Sequence, residues 1–187
     1  MSNEINERTC PVGLAGGLDN YVRRLLQNPH KILKPYISNG MTVLDLGCGV
    51  GFFSIEIAKM LNVSGKVIAA DLQEGMLEKL SKKIIGTEIE PRIEIHKCEA
   101  TKVGVTEHVD FILLFYMIHE VQDQEKLLED LKSILNPSGR IYIIEPLIHV
   151  SKKSFETMKV KIQRMGFEII ASPKVFFSRT VLLTLKK

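Results

Sequence analysis

The sequence predicts an α/β fold: a doubly wound, mainly parallel seven-stranded sheet with helices on both faces and an antiparallel last strand. Three observations carry that prediction. Residues 41–62 pass from a short apolar strand through alternating glycines into apolar residues at helical spacing. From residue 41 onward, strand-like and helix-like segments alternate. Near the end, two strand-like runs are separated only by Pro173-Lys174-Val175. A link that short cannot make a parallel crossover, so the final strand must run backwards beside its neighbour.

Each element has its own signal. Residues 1–17 read as an arm, because Cys10-Pro-Val-Gly-Leu-Ala-Gly-Gly17 holds too much glycine for a helix. Residues 18–27 are expected to be helical, with Leu18, Tyr21, Val22, Leu25 and Leu26 on one face. Asn28-Pro29 breaks that helix, and a second short one carries Ile32, Leu33, Tyr36 and Ile37 to Asn39-Gly40. Strands are expected at 41–46, 66–71, 92–97, 109–115, 140–145, 167–172 and 176–185. Helices are expected at 51–62, 74–85, 123–135 and 152–165. Gly65, Gly86, Gly139 and Gly166 fall at element ends, as helix C-caps and turns prefer. Asn136-Pro-Ser-Gly139 marks a turn before the fifth strand. The division expected is 1–40, an arm with lid helices, and 41–187, the doubly wound unit.

Composition narrows the function classes. At 187 residues, with 45% apolar and 25% charged residues, the chain matches a single globular domain with an ample core. A net charge of +3 without a Lys/Arg-rich block argues against nucleic acid as a partner. No stretch reaches the ~18 apolar residues of a membrane span, and the first residues lack an apolar signal region, so a cytoplasmic location is expected. Cys10, Cys48 and Cys98 show neither an even count nor a C-x-x-C spacing, which favours free thiols over a zinc site.

The chemistry concentrates at Met41-Thr-Val-Leu-Asp-Leu-Gly-Cys-Gly-Val-Gly51. A strand, a glycine loop and a helix start bring backbone N–H groups and a helix N-terminus to whatever lies above the loop. The spacing is G-x-G-x-G, one residue tighter than the dinucleotide fingerprint G-x-G-x-x-G. An acid follows at the end of the second strand, in Lys66-Val-Ile-Ala-Ala-Asp71. A carboxylate there can accept both ribose hydroxyls of an adenosine.

Val43-Leu-Asp-Leu-Gly-Cys-Gly-Val-Gly51 resembles motif I of the class I S-adenosylmethionine-dependent methyltransferases. The resemblance covers residues 41–187 and implies the strand order 3-2-1-4-5-7-6. It implies that Asp71 binds ribose, and that Asp45 orders the loop or reaches the methionine end of the cofactor. Gly47, Cys48, Gly49 and Gly51 would then cradle that end. Glu99-Ala100 resembles the third motif, which reads the adenine edge; the family more often has Asp where Glu99 stands. Leu72 and Met76 are placed to pack on adenine and ribose. Phe115 resembles the position that walls the sulfonium, where an aromatic face suits a cation. Tyr21, with Arg23 and Arg24, would face the site from the lid.

Ligands of open α/β sheets lie beyond the carboxyl ends of the strands. That rule gathers His119, Glu120, Glu145, His149, Phe177, Ser178 and Arg179 at one edge. His119, Glu145 and His149 are the candidates for acid–base work, and Glu120 and Arg179 for substrate contact. A carboxylate closing the apolar run Ile141-Tyr-Ile-Ile144 is costly to bury alone, so Glu145 needs a partner, and Arg179 is the one expected. No metal site is expected.

The function expected is methyl transfer from S-adenosylmethionine to a small-molecule acceptor. Two other classes remain open: a regulatory module that binds the cofactor without turnover, and an NAD-dependent oxidoreductase. The displaced third glycine, and Asp45 without a role, argue against NAD. A thiol-using arsenite methyltransferase would place its cysteines elsewhere.

Overall fold

The computed structural model describes residues 26–186. Its elements run α1 (Pro29–Leu33), β1 (Thr42–Leu46), α2 (Ser54–Met60), β2 (Lys66–Asp71), α3 (Glu74–Ile84), β3 (Ile93–Lys97) and β4 (Val109–Phe115). They continue with α4 (Gln124–Ile134), β5 (Leu135–Pro146), α5 (Lys152–Arg164), β6 (Phe167–Ala171) and β7 (Ser178–Leu185). The seven strands form one sheet in the order β3-β2-β1-β4-β5-β7-β6. β1 through β5 pair in parallel, while β7 runs antiparallel to both β5 and β6. The expected fold class, strand order and reversed last strand are all present.

Two apolar layers hold the sheet. Leu44, Leu46, Ile112, Leu114, Ile141 and Ile143 face α4 and α5. Val43, Val67, Phe111, Leu113, Tyr142 and Ile144 face α1, α2 and α3. Successive residues of a strand point to opposite faces, so a strand covered on both sides must be apolar throughout. That is why the central strands read as unbroken apolar runs. The short α1 is anchored by Asn28, whose side chain caps the Lys31 amide, and Tyr36 beyond it stacks on Phe111 and meets the edge of Tyr142.

Two expected boundaries are corrected. α2 begins at Ser54 and not at residue 51. Gly51 sits at φ +84°, in the left-handed region, and cannot belong to a right-handed helix. The turn expected at 136–139 lies inside β5, as a bulge in its pairing with β4. Val109 pairs with Leu135 and Phe111 with Arg140, so Asp110 alone faces residues 136–139. Its carboxylate fills that gap, accepting from Asn136 Nδ2 at 2.7 Å and from the Thr42 amide at 2.9 Å. Tyr21, Arg23, Arg24 and Cys10 lie outside the described residues, as does the expected helix 18–27 up to residue 25. Among the described residues no helix is long and apolar enough to cross a membrane.

Candidate active site

The glycine loop leaves β1 and is bonded back onto β2. Gly47 and Cys48 donate their amides to the Ala70 carbonyl at 2.8 and 3.0 Å. Gly51 donates to the Cys48 carbonyl at 3.0 Å, and Gly49 donates to Asp71 Oδ2 at 2.8 Å. The sequence suggested that these N–H groups would face a ligand; instead these four are spent within the protein. The reason is geometric: β1 and β2 are paired neighbours, so the loop turns over the end of β2 and meets its last carbonyl and carboxylate.

Asp71 is nearly buried and accepts a second amide, from Gln73 to Oδ1 at 2.8 Å. Burial pushes its carboxyl above the ordinary range, and the amides of Gln73, Gly49 and Leu72 pull it back. The two carboxylate oxygens together have about four lone-pair sites, more than these three amides fill. Leu72, next to it, is exposed. Cys98 donates its amide to the Asp71 carbonyl at 3.0 Å, which sets the exposed Glu99 and Ala100 beside the acid.

The loop glycines meet different surroundings. A Cβ on Gly51 would lie 2.3 Å from Leu80 Cδ1, so this glycine lets α3 close on the loop. Among the described residues a Cβ on Gly49 would meet nothing within 4 Å. Gly49 is therefore the open side of the loop.

Asp45 and Met76 are both buried. Asp45 is 2% exposed and accepts the Ser54 hydroxyl at 2.5 Å, tying β1 to the start of α2. Burial pushes its carboxyl up to about 7. Met76 is also 2% exposed, since α3 turns it into the core. Neither offers a ligand more than a trace of surface. Cys48 is buried, and its thiol is pushed well up by burial and by the nearby Asp45 and Asp71.

The segment after β4 carries the other half of the site. Met117 packs against Gly47, where a Cβ would come within 2.9 Å of its own. Tyr116 holds φ +58°, uncommon for a residue with a side chain, and Phe177 across the edge holds φ +54°. Such backbone conformations collect at functional sites. The Tyr116 amide donates to Ile144 at 2.8 Å, and its ring stacks on Phe115 at 4.2 Å. Phe115 in turn packs on Phe53 at 4.3 Å, so this candidate sulfonium wall is the middle of an aromatic row. The Tyr116 hydroxyl meets Ser178 Oγ at 2.7 Å and accepts from Gln27 Nε2. Gln27 also reaches the Phe176 carbonyl at 3.4 Å.

Glu145 ends β5 wholly buried. Its partner is His119, whose Nδ1 lies 2.7 Å from Oε2. The expected pair with Arg179 does not form. Arg179 faces Glu145 in the strand register, but its Nε donates to the Val150 carbonyl at 3.1 Å. Among the described residues Glu145 Oε1, itself buried, has no hydrogen-bond partner. The carboxylate raises the proton affinity of His119 above the ordinary histidine value, against the opposing effect of burial. Exposed His149 sets its ring 5.6 Å from that of His119. Glu120, half-buried, is pushed up by burial and feels both His119 and Asp71.

The structure thus brings Gly47 to Gly51, Asp71, Leu72, Glu99, Ala100, Phe115, His119, Glu120, Glu145 and His149 to one sheet edge. Sequence reasoning missed Ser54, Gln27 and Met117. Ser54 had a readable signal, a hydroxyl at the helix start behind a buried strand acid. Met117 and Gln27 had none.

Comparison with known proteins agrees with this geometry. A family model described as a methyltransferase domain matches residues 37–172. A demethylmenaquinone methyltransferase of Lactobacillus johnsonii is 29% identical over 126 residues, covering 64% of this chain and 52% of the relative. A ubiquinone/menaquinone biosynthesis C-methyltransferase UbiE of an Enterobacter species is 25% identical over 140 residues, covering 73% and 56%. The chain spans about half the length of these curated relatives. The crystal structure of an S-adenosylmethionine-dependent methyltransferase from Aquifex aeolicus superposes with a TM-score of 0.85 at 28% identity, covering 94% of this chain and 98% of that one. With its sheet order, loop and matched domain, the chain belongs to the class I S-adenosylmethionine-dependent methyltransferases.

Proposed function

We propose that this protein binds S-adenosylmethionine at the Gly47–Gly51 loop and transfers its methyl group to a small-molecule acceptor. One observation carries the reading: the open flank of Gly49 adjoins the carboxylate of Asp71 at the ends of β1 and β2. The residues present fit the cofactor. Asp71 keeps acceptor capacity for a ribose hydroxyl, exposed Leu72 offers an apolar face for adenine, and Glu99 and Ala100 stand beside them. The bound cofactor would supply an electrophilic methyl on a sulfonium whose sulfur keeps the bonding pair. The chain's own task is to orient the acceptor and exclude water, and positioning alone can contribute roughly 7–11 kcal/mol. The aromatic row Phe53, Phe115 and Tyr116 suits both tasks.

A small-molecule acceptor is supported by the relatives named for demethylmenaquinone and for ubiquinone and menaquinone biosynthesis. Calorimetry with S-adenosylmethionine, its demethylated product and NAD tests the cofactor. Binding of the first two and not the third is expected. Binding of NAD alone would end the reading, and cofactor binding without turnover over a broad acceptor panel would make the protein a binding module.

A further inference from the structure

We infer that the rim formed by the β5–α5 and β6–β7 loops docks on an anionic lipid surface. The two loops lie side by side. β5 and β7 pair as far as Pro146 and Ser178, and beyond them the Leu147 amide donates to the Phe177 carbonyl at 3.2 Å. Arg179 Nε, donating to the Val150 carbonyl at 3.1 Å, ties the loops a second time. Large apolar side chains stand outward on both. Ile148 is 76% exposed, Phe176 55% and Phe177 52%. The two phenylalanine rings lie 6.0 Å apart and form one patch.

Folding stability does not account for these features. Phe177 holds φ +54°, a costly conformation for a bulky residue, and its ring still reaches water. α5 opens on Lys152 and Lys153, with no acid in its first turn. The positive end of the helix dipole lies there, where Asp or Glu stabilises and lysine does not. Both lysines are exposed, as is Lys174 on the neighbouring loop. Among the described residues none of the three has an ion-pair partner. Residues 146–155 and 172–179 contain no Asp or Glu. The acids bounding the first segment are engaged elsewhere: Glu145 is buried against His119, and Glu156 pairs with Lys159.

Apolar loop tips beside unpaired lysines match an interfacial anchor. The apolar groups enter the boundary between headgroups and acyl chains, and the lysines meet acidic phospholipid. A protein partner would be matched by a shaped helix face or strand edge. Here the groups stand on adjoining loop tips at one end of the sheet, where a flat surface can meet them together. Neither contribution suffices alone: three side chains bury little apolar area, and the attraction of the lysines fades within a Debye length. Together they give reversible, salt-sensitive attachment without any helix crossing the bilayer. The rim also adjoins the candidate site, since Gln27 joins the Phe176 carbonyl to the Tyr116 hydroxyl. The docking does not depend on the methyl-transfer reading.

The test uses the full chain and vesicles of phosphatidylglycerol and phosphatidylcholine in equal parts, with pure phosphatidylcholine as the comparison. Wild type should float with the mixed vesicles in a density gradient, less as salt rises, and hardly at all with the neutral ones. The chain contains no tryptophan, so F176W supplies a single reporter. Its emission should shift to the blue on the mixed vesicles and be quenched by brominated acyl chains. K152Q/K153Q should weaken partitioning by about 20–30-fold, at roughly fivefold per lysine. Its melting temperature should equal or exceed that of wild type, because the change relieves the helix N-terminus. I148S/F176S should abolish flotation with its circular dichroism unchanged. A wild type that stays in the aqueous fraction, equal binding to neutral and mixed vesicles, or variants that float as well as wild type would overturn the inference. A lipid-free dimer that I148S/F176S disperses in sedimentation equilibrium would assign the rim to a second copy and overturn it too. Retention on polyglutamate beads without vesicle binding would do the same in favour of an acidic protein.

Discussion

At Asp71 one carboxylate is asked to serve two structures, its own loop and a ligand. Asp71→Ala removes the acceptor for Gly49 and Gln73 as well as the proposed ribose contact. S-adenosylmethionine binding should weaken by on the order of 1–3 kcal/mol. Asp71→Asn keeps one acceptor oxygen and should lose less. A calorimetric Kd for Asp71→Ala equal to wild type would rule out the ribose role. Asp45 gives a pH prediction. Its folded pKa is raised from 3.8 to about 7, so the native state holds a proton that the unfolded chain has released. The stability this adds is complete below pH 3.8 and is lost as pH rises towards 7. Asp45→Asn can still accept from Ser54 without that loss. Its stability relative to wild type should climb between pH 4 and 7, read by urea denaturation at each pH. A flat difference would show that Asp45 ionises freely. His119 is also raised, from 6.5, so its contribution to stability is full below that pH and fades as the ring loses its proton above it.

The glycine loop shows what its sequence could and could not convey. Its place between β1 and α2 was readable, because strand and helix periodicities meet there. Which glycine faces a ligand and which faces a helix was not, because that depends on Leu80 of α3, far along the chain from Gly51. Two alanine variants separate the roles. Gly51→Ala drives a Cβ against fully buried Leu80 and strains φ +84°, and should cost roughly 2–4 kcal/mol of stability. Gly49→Ala meets no described residue within 4 Å and should cost only about 1–2 kcal/mol from its φ of +55°. It should impair cofactor binding more than Gly51→Ala does in whatever fraction of that variant stays folded. Chemical denaturation and calorimetry on the pair would expose a reversed order. The β5 bulge was legible only as a turn, since Asn136-Pro-Ser-Gly139 has turn chemistry. Asp110, which bonds both β1 and β5, gives no such local sign. Asp110→Ala should cost about 1–3 kcal/mol by leaving the Thr42 amide unpaired.

Across the molecule, the sheet was legible because each of its rules is local. Unbroken apolar runs mark strands covered on both faces, and the three-residue link at 173–175 forces the reversal of β7. The site was less legible because its contacts cross between strands. His119 and Glu145 are 26 positions apart, and they meet only through the register of β4 on β5. Arg179 stands opposite Glu145 in the ladder, yet its guanidinium reaches along the edge to Val150, which the register alone does not reveal.

The order β5-β7-β6 sets sequence against space. β6 leaves the ribosome before β7, yet β7 lies between it and the rest of the sheet. Until β7 arrives, β6 has no seat and the flank of β5 stays bare. A nascent chain halted at residue 172 should therefore be protease-sensitive and prone to self-association. Release of β7 should convert it in a single late step, which puts the last assembly event of the scaffold directly behind Glu145.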